Sequence, residues 1–306
     1  MPLTRNGIRI DDTFAEAFGM SGTALVITAH DQRWARQAAV TMTGFATSVI
    51  GCGCEAGIDR EMAAAETPDG RPGQRVLLFG MSPEALQTAL TNRVGQCVLT
   101  SPGSACYAGL EAEKTLKLGD AIRYFADGWQ VSKRIGPRHF WRMPVMDGEF
   151  VVEATTGLTV AAVGGGNLLI MGAKPENTMR AAEAAIVAMN RVADAIMPFP
   201  GGIVRSGSKV GSKYKTLFAS TNEAYCPTLR GAVASALDPD IANVLEIVID
   251  GLTETAVADA MRAGIKAIVD LGPEHGAVRI GAGNYGGKLG QYHFHLKDLL
   301  PKDVSA

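Results

Sequence analysis

Residues 243–283 read NVLEIVIDGLTETAVADAMRAGIKAIVDLGPEHGAVRIGAG, and the fold class turns on them. Val244, Leu245, Ile247, Val248 and Ile249 are aliphatic and mostly β-branched, which suits a strand. Thr253 stands where a helix N-cap belongs, and Val257, Met261, Ile265 and Ile268 form one apolar stripe after it. GAVRIGAG (276–283) returns to strand-like composition. A strand, an amphipathic helix and a strand make a βαβ-type element with a right-handed crossover.

The same shape recurs three times upstream. TALVITA (23–29) leads into HDQRWARQAAVTMTG, where Asp31 caps a helix stacking Trp34, Ala38 and Met42, and ATSVIGC (46–52) reads as the returning strand. RVLLFG (75–80) leads into a helix begun by Ser82 and Pro83, with Leu86, Leu90 and Val94 on one face, Gly95 as its stop, and QCVLT (96–100) as the next strand. NLLIMGA (167–173) leads into a helix opened by Pro175, narrow with alanine, that ends before AIMPFPGGIV. Extra strands are expected at EFVVE (149–153), LTVAAV (158–163) and QYHFHL (291–296). Two such units with neighbouring strands make a split-βαβ, ferredoxin-like lobe. The expectation is therefore an α+β chain of two ferredoxin-like lobes, 1–150 and 151–306, with helices on one face of each sheet. The joint is placed after the polar stretch FADGWQVSKRIGPRH. A doubly wound Rossmann sheet is the alternative, and no strand-GxGxxG-helix turn supports it.

The length of 306 residues allows one large or two modest domains. A net charge of −2 argues against nucleic acid or an anionic membrane as the main partner. No apolar run is long enough to span a bilayer and no leader is evident, so the chain is read as cytoplasmic. Five cysteines, of which only Cys52 and Cys54 are paired in sequence, suggest reduced thiols and no metal site.

The glycine runs need separate treatment. VGGGN (163–167) lies between two apolar stretches and reads as a hairpin turn. GAGNYGGKLG (281–290) follows a strand but precedes QYHFHLKD, another strand, so a pyrophosphate would find no helix N-terminus there. Its glycines would still allow close approach of some other ligand. GSKVGSK (207–213) is not a P-loop. It lies in PFPGGIVRSGSKVGSKYKTLFASTNEAYCPT (198–228), which sets Arg205, Lys209, Lys213 and Lys215 against one acid, Glu223.

No HExxH or GxSxG occurs. Glu246 is a lone acid within an apolar strand, either on an exposed edge or partly desolvated in a cleft. Desolvation would raise its pKa and suit it to proton transfer near neutrality. Asp250 reads as a turn or cap residue at the strand's end.

Together these motifs form a pattern. DDTFAEAF (11–18), ETPDGRPG (66–73), GEFVVE (148–153), STNEAYCPT (220–228), EIVIDGL (246–252) and GNYGGKLGQYHFHLKDL (283–299) stand in order along nearly the whole chain. The chain resembles the formylmethanofuran–tetrahydromethanopterin N-formyltransferases of methanogens and methylotrophic bacteria. The resemblance implies two ferredoxin-like halves, a homotetramer, and direct formyl transfer between the amine of methanofuran, or a bacterial analogue, and N5 of tetrahydromethanopterin. It implies no metal and no prosthetic group. Glu246 aligns with the family's active-site glutamate, as the proton-transferring group or, with a raised pKa, as a neutral donor to the intermediate. Ser208, Lys209, Ser212 and Lys213 are expected to line the cleft for carriers with anionic tails. Asn222, Tyr225, Asn284 and Lys288 are expected at the oxyanion or the pterin, and Cys226 is expected to be structural. The near-neutral charge departs from the acidic archaeal members and points to a methylotroph-type version. Such relatives can work beside a hydrolase, so the rival reading is a scaffold subunit of a formyltransferase/hydrolase complex.

Overall fold

The computed structural model describes residues 3–300. Two short strands, β1 (Leu3–Arg5) and β2 (Ile8–Ile10), precede the long β3 (Phe14–Thr28). Then come α1 (Gln32–Thr43), the single turn α2 (Val49–Cys52), β4 (Glu55–Met62), β5 (Gly73–Gly80), α3 (Pro83–Arg93) and β6 (Ala105–Ala108). β7 (Thr115–Lys117) and α4 (Gly119–Ile122) lead to a meander of β8 (Val131–Ile135), β9 (Arg138–Val145) and β10 (Gly148–Glu153). β11 (Thr155–Gly157) opens the second half, followed by β12 (Thr159–Gly172), α5 (Pro175–Met189) and β13 (Ala195–Ile196). A two-stranded ribbon, β14 (Lys209–Val210) and β15 (Ala219–Ser220), comes before β16 (Asn243–Gly251), α6 (Glu254–Leu271), β17 (Arg279–Gly281) and β18 (Tyr292–His295).

The helices form where their caps predict. The side chains of Asp31, Ser82 and Thr253 accept the backbone N–H groups of Trp34, Ala85 and Ala256, satisfying donors that a helix start leaves open. In the first half the strands pair antiparallel in the order β4-β5-β3-β6. In the second half they pair antiparallel in the order β13-β16-β12-β17. β3 and β12 are long enough to serve both halves, and they pair with each other from Thr159↔Gly22 to Gly164↔Phe18. One mixed 14-stranded sheet results.

Two main cores lie on the helix-covered faces. One joins α1 and α3 to β3–β6, β9 and β10 around Leu25, Leu78, Leu86 and Phe150. The other joins α5 and α6 to β12 and β16 around Leu168, Ile247, Met261 and Ile265. A smaller cluster of Met20, Phe79, Ala162, Ile196 and Leu252 fills the space between the halves.

Three local expectations are corrected. The segment 46–52 is not a strand: Ser48 accepts the N–H of Ile50 and starts the turn α2, and the strand comes later as β4. The apolar run QCVLT continues α3 as a π-turn, with Leu99 N–H donating to Val94 O at 2.9 Å, because Val94 and Val98 bury against the first core. The polar stretch before residue 150 forms the β8–β9 hairpin. VGGGN makes no hairpin turn, because β12 runs straight through it. Its register slips between Val163 and Gly166, and Gly165 takes φ +89°. A Cβ on Gly166 would sit 2.4 Å from Val257 of α6, so only glycine lets strand and helix meet there.

Candidate active site

In β16, alternation sends Leu245, Ile247 and Ile249 into the helix-covered core and Val244, Glu246 and Val248 to the opposite face. Glu246 therefore stands on the face away from α5 and α6. Its register partner is Leu169 of β12, and Leu169 is also paired with Gly281 of β17. On the other side Val204 and Glu246 exchange two backbone hydrogen bonds, Val204 N–H to Glu246 O at 2.7 Å and Glu246 N–H to Val204 O at 2.9 Å. Gly281, Leu169, Glu246 and Val204 thus form one row across the sheet.

The segment after Val204 folds back over this row and closes a cleft of about 50 Å³ against Leu169 and Glu246. Arg205, Asn222, Tyr225 and Cys226 line it. No donor among the described residues reaches the Glu246 carboxylate, and burial alone pushes its pKa up to about 7. A carboxyl poised there can take a proton or give one near neutrality. Tyr225 packs beside Leu169, Leu237 and Ile241, and burial, then the charge of Asp11, pushes its phenol up. It is a neutral hydroxyl at working pH.

The expected site residues divide into three groups. Glu246, Asn222 and Tyr225 meet in the cleft. Ser208, Lys209, Ser212 and Lys213 lie on or beside the first strand of the ribbon, β14. There Lys209 is ion-paired with Glu223, Ser212 Oγ accepts Tyr214 N–H at 3.0 Å, and Lys213 is exposed. Asn284 and Lys288 belong to the glycine loop after β17. Asn284 Nδ2 donates to Thr13 Oγ1 and Phe14 O, both at 3.1 Å, and its Oδ1 accepts Gly286 N–H at 3.0 Å, so its amide is used within the fold. Lys288 is exposed. Cys226 lines the cleft with its thiol directed to Asn222 O at 3.5 Å.

Three further residues were assigned no part in the chemistry from the sequence. Asp250 is no turn residue: it is fully buried, accepts Gly165 N–H at 3.0 Å and braces the glycine bulge of β12. Burial, then the adjoining Glu55, pushes its carboxyl up. Tyr285 approaches Glu246 closely enough that burial, then the charges of Glu246 and Glu16, push its phenol up. Glu16 itself is buried in β3. The signal for Glu16 was present in DDTFAEAF, where an acid interrupts an otherwise apolar strand just as Glu246 does in β16. Among the described residues, no three His, Cys, Asp or Glu side chains gather where they could hold a metal ion. No described helix is long and apolar enough to cross a membrane.

The chain is 58% identical to the formylmethanofuran–tetrahydromethanopterin formyltransferase of Methylococcus capsulatus, over 96% of this chain and 99% of that one. Its fold matches the crystal structure of the formyltransferase/hydrolase complex (FhcABCD) from Methylorubrum extorquens in complex with methylofuran. The TM-score is 0.96 and the identity 56%, covering 99% of this chain and 100% of the matched one. It also matches the formylmethanofuran:tetrahydromethanopterin formyltransferase of Methanosarcina barkeri, with TM-score 0.91 and 45% identity over 97% and 100% of the two chains. The family model for formylmethanofuran-tetrahydromethanopterin formyltransferase matches residues 3–145, and the one described as the FTR proximal lobe matches 148–299. A chain matched along almost its whole length, with the strand carboxylate of Glu246 standing in a covered cleft, belongs to the formylmethanofuran–tetrahydromethanopterin formyltransferase family.

Proposed function

We propose that the chain is an N-formyltransferase moving a formyl group between N5 of tetrahydromethanopterin and the amine of a methanofuran-type carrier, with Glu246 as its proton-transferring group. The activity follows from family membership over both halves of the chain. The observation that carries the role of Glu246 is its position, alone and without a donor, at the foot of the cleft.

The chemistry sets what the site must do. The attacking nitrogen forms a bond to the formyl carbon and an oxyanion develops. As that intermediate collapses, one N–H proton leaves the attacking nitrogen and one arrives at the departing nitrogen. A carboxylate that accepts the first and supplies the second returns to its starting form, and the same group serves either direction. A pKa near 7 suits both halves of that exchange. Holding two amines and one formyl carbon in line can supply roughly 7–11 kcal/mol, and fixed donors to the oxyanion add to it. Asn222 and Tyr225 are the neutral donors in the cleft, and the exposed Lys213 and Lys288 suit the anionic tails of the carriers. No prosthetic group enters this scheme.

The strand orders β4-β5-β3-β6 and β13-β16-β12-β17, each with two helices on one face, support reading the halves as two ferredoxin-like lobes divided near residue 150. A cytoplasmic homotetramer completes the reading, checked by the mass of the purified protein in solution. The match to a chain of the formyltransferase/hydrolase complex supports assembly with hydrolase subunits as a second arrangement. A formyl-transfer assay with formyl-tetrahydromethanopterin and a furfurylamine carrier tests the activity. Turnover by the isolated chain supports the free enzyme, and turnover only with added hydrolase subunits supports the complex.

A further inference from the structure

The loop 283–290, GNYGGKLG, closes around a carboxylate of the protein itself. Tyr285 N–H and Gly287 N–H donate to Glu16 Oε2 at 2.6 and 2.8 Å, and Leu289 N–H and Gly290 N–H donate to Oε1, both at 2.7 Å. Glu16 lies in β3 and is 1% exposed. None of the ion pairs among the described residues includes it, so its negative charge is met by this backbone nest. The turn needs φ +75° at Gly286 and +71° at Gly287, which glycine adopts freely.

A second side chain clasps the start of the loop. Asn167 Oδ1 accepts Gly283 N–H at 2.6 Å, and its Nδ2 donates to Gly283 O at 3.1 Å. Asn167 precedes Leu169 by two residues in β12 and shares its face, the face on which Glu246 stands. Gly281, where the loop departs, lies two ladder spacings from Glu246, about 10 Å. The loop carries Tyr285, whose ring centroid lies 6.0 Å from that of Phe18 and whose phenol is pushed up by burial, then by the charges of Glu246 and Glu16. Burial would raise the Glu16 carboxyl, but the four N–H donors outweigh it and hold it at about 2. The nest is therefore charged throughout the working range.

We propose that Glu16 is a positioning residue of the formyl-transfer site, its buried carboxylate fixing loop 283–290 so that the neutral Tyr285 hydroxyl donates to the formyl oxygen beside Glu246. This rests on the formyltransferase reading above. Tyr285 is the group that touches substrate, and Glu16 acts only through it. The glutamate side chain occupies the space a small anionic ligand would take in such a nest, which makes the loop a prebuilt wall of the site.

The test is a double-mutant cycle of Glu16→Gln and Tyr285→Phe, with kcat and KM measured beside the wild type. Amide exchange is followed at Tyr285, Gly287, Leu289 and Gly290. Each single variant should lose about 100-fold in kcat, with KM within about threefold of wild type. The double variant should be within about threefold of the worse single, because both act through one hydroxyl. Exchange at the four amides should rise in Glu16→Gln alone, and Glu16→Asp, which keeps the charge, should recover part of both losses. Losses that multiply in the double variant would overturn the proposal, as would wild-type kcat in a Glu16→Gln protein whose four amides exchange freely. A wild type without formyl transfer would instead overturn the underlying assignment of function.

Discussion

Loop 283–290 and the segment 205–225 leave the two ends of one backbone row, the first after Gly281 and the second after Val204, with Glu246 between them. Both are rich in glycine and both carry lysine. The first is held by two buried side chains, Glu16 and Asn167, through backbone hydrogen bonds of 2.6–3.1 Å. The second has a ribbon of two residues per strand, a surface ion pair between Lys209 and Glu223, and an exposed tip of Tyr214, Leu217 and Phe218. Composition does not distinguish them. What does is a buried acid in a distant strand that finds its partners in one loop and not in the other. One wall of the site is thereby preorganised, and the other is free to adapt to a long anionic carrier.

That contrast can be broken most decisively by hydrogen exchange. Amides at 285, 287, 289 and 290 should exchange at least about 1,000-fold more slowly than those at 213–217, since a buried nest opens only with its sheet. Similar rates in the two segments would remove the distinction. Glu246→Gln should next show what the unpaired acid costs. For a carboxyl raised above its unfolded value, the native state holds the proton longer, so stability falls as pH rises from about 4.5 to about 7 and then stays level. The variant should therefore gain up to about 3 kcal/mol over wild type at pH 8, less for the part of the carboxyl that solvent reaches, and nothing at pH 4. Urea unfolding at the two pH values checks this.

Glu16 should behave in the opposite sense. Its lowered pKa favours the folded state above the unfolded value, and that contribution is lost as pH falls from about 4.5 to about 2. Acid unfolding of Glu16→Gln should lack this limb, and an unchanged acid midpoint would show that the nest does not depend on charge. The smallest effect is expected on the adaptable wall. Lys213→Ala should raise the carrier KM about two- to fivefold at low salt, and the difference should fade near 1 M salt, as for an exposed charge. A salt-independent loss would place Lys213 in a desolvated contact.

The same division explains what could be read from the sequence. Helices with strong caps are legible because Asp31, Ser82 and Thr253 act on residues three positions away. Glu246 is legible because an acid inside an aliphatic strand must be either exposed or special. VGGGN misleads because its glycines answer to Val257 and Met20, which meet it only in three dimensions. QCVLT misleads because a short apolar run suits a buried helix end as well as a strand. Glu16 carries the same signal as Glu246, yet its role depends on amides 269 to 274 residues away, which no local pattern encodes. Asn284 is expected at the oxyanion or the pterin, and its contacts to Thr13 and Phe14, 271 and 270 residues away, are equally beyond any local pattern.

Whether Glu246 moves the proton during formyl transfer is decided by the pH profile of kcat/KM for wild type and Glu246→Gln. With Glu246 in that role, the wild type shows an inflection near pH 7, and the variant loses about 1,000-fold and shows no inflection there. A Glu246→Gln protein that keeps wild-type turnover, or the same inflection, would contradict it.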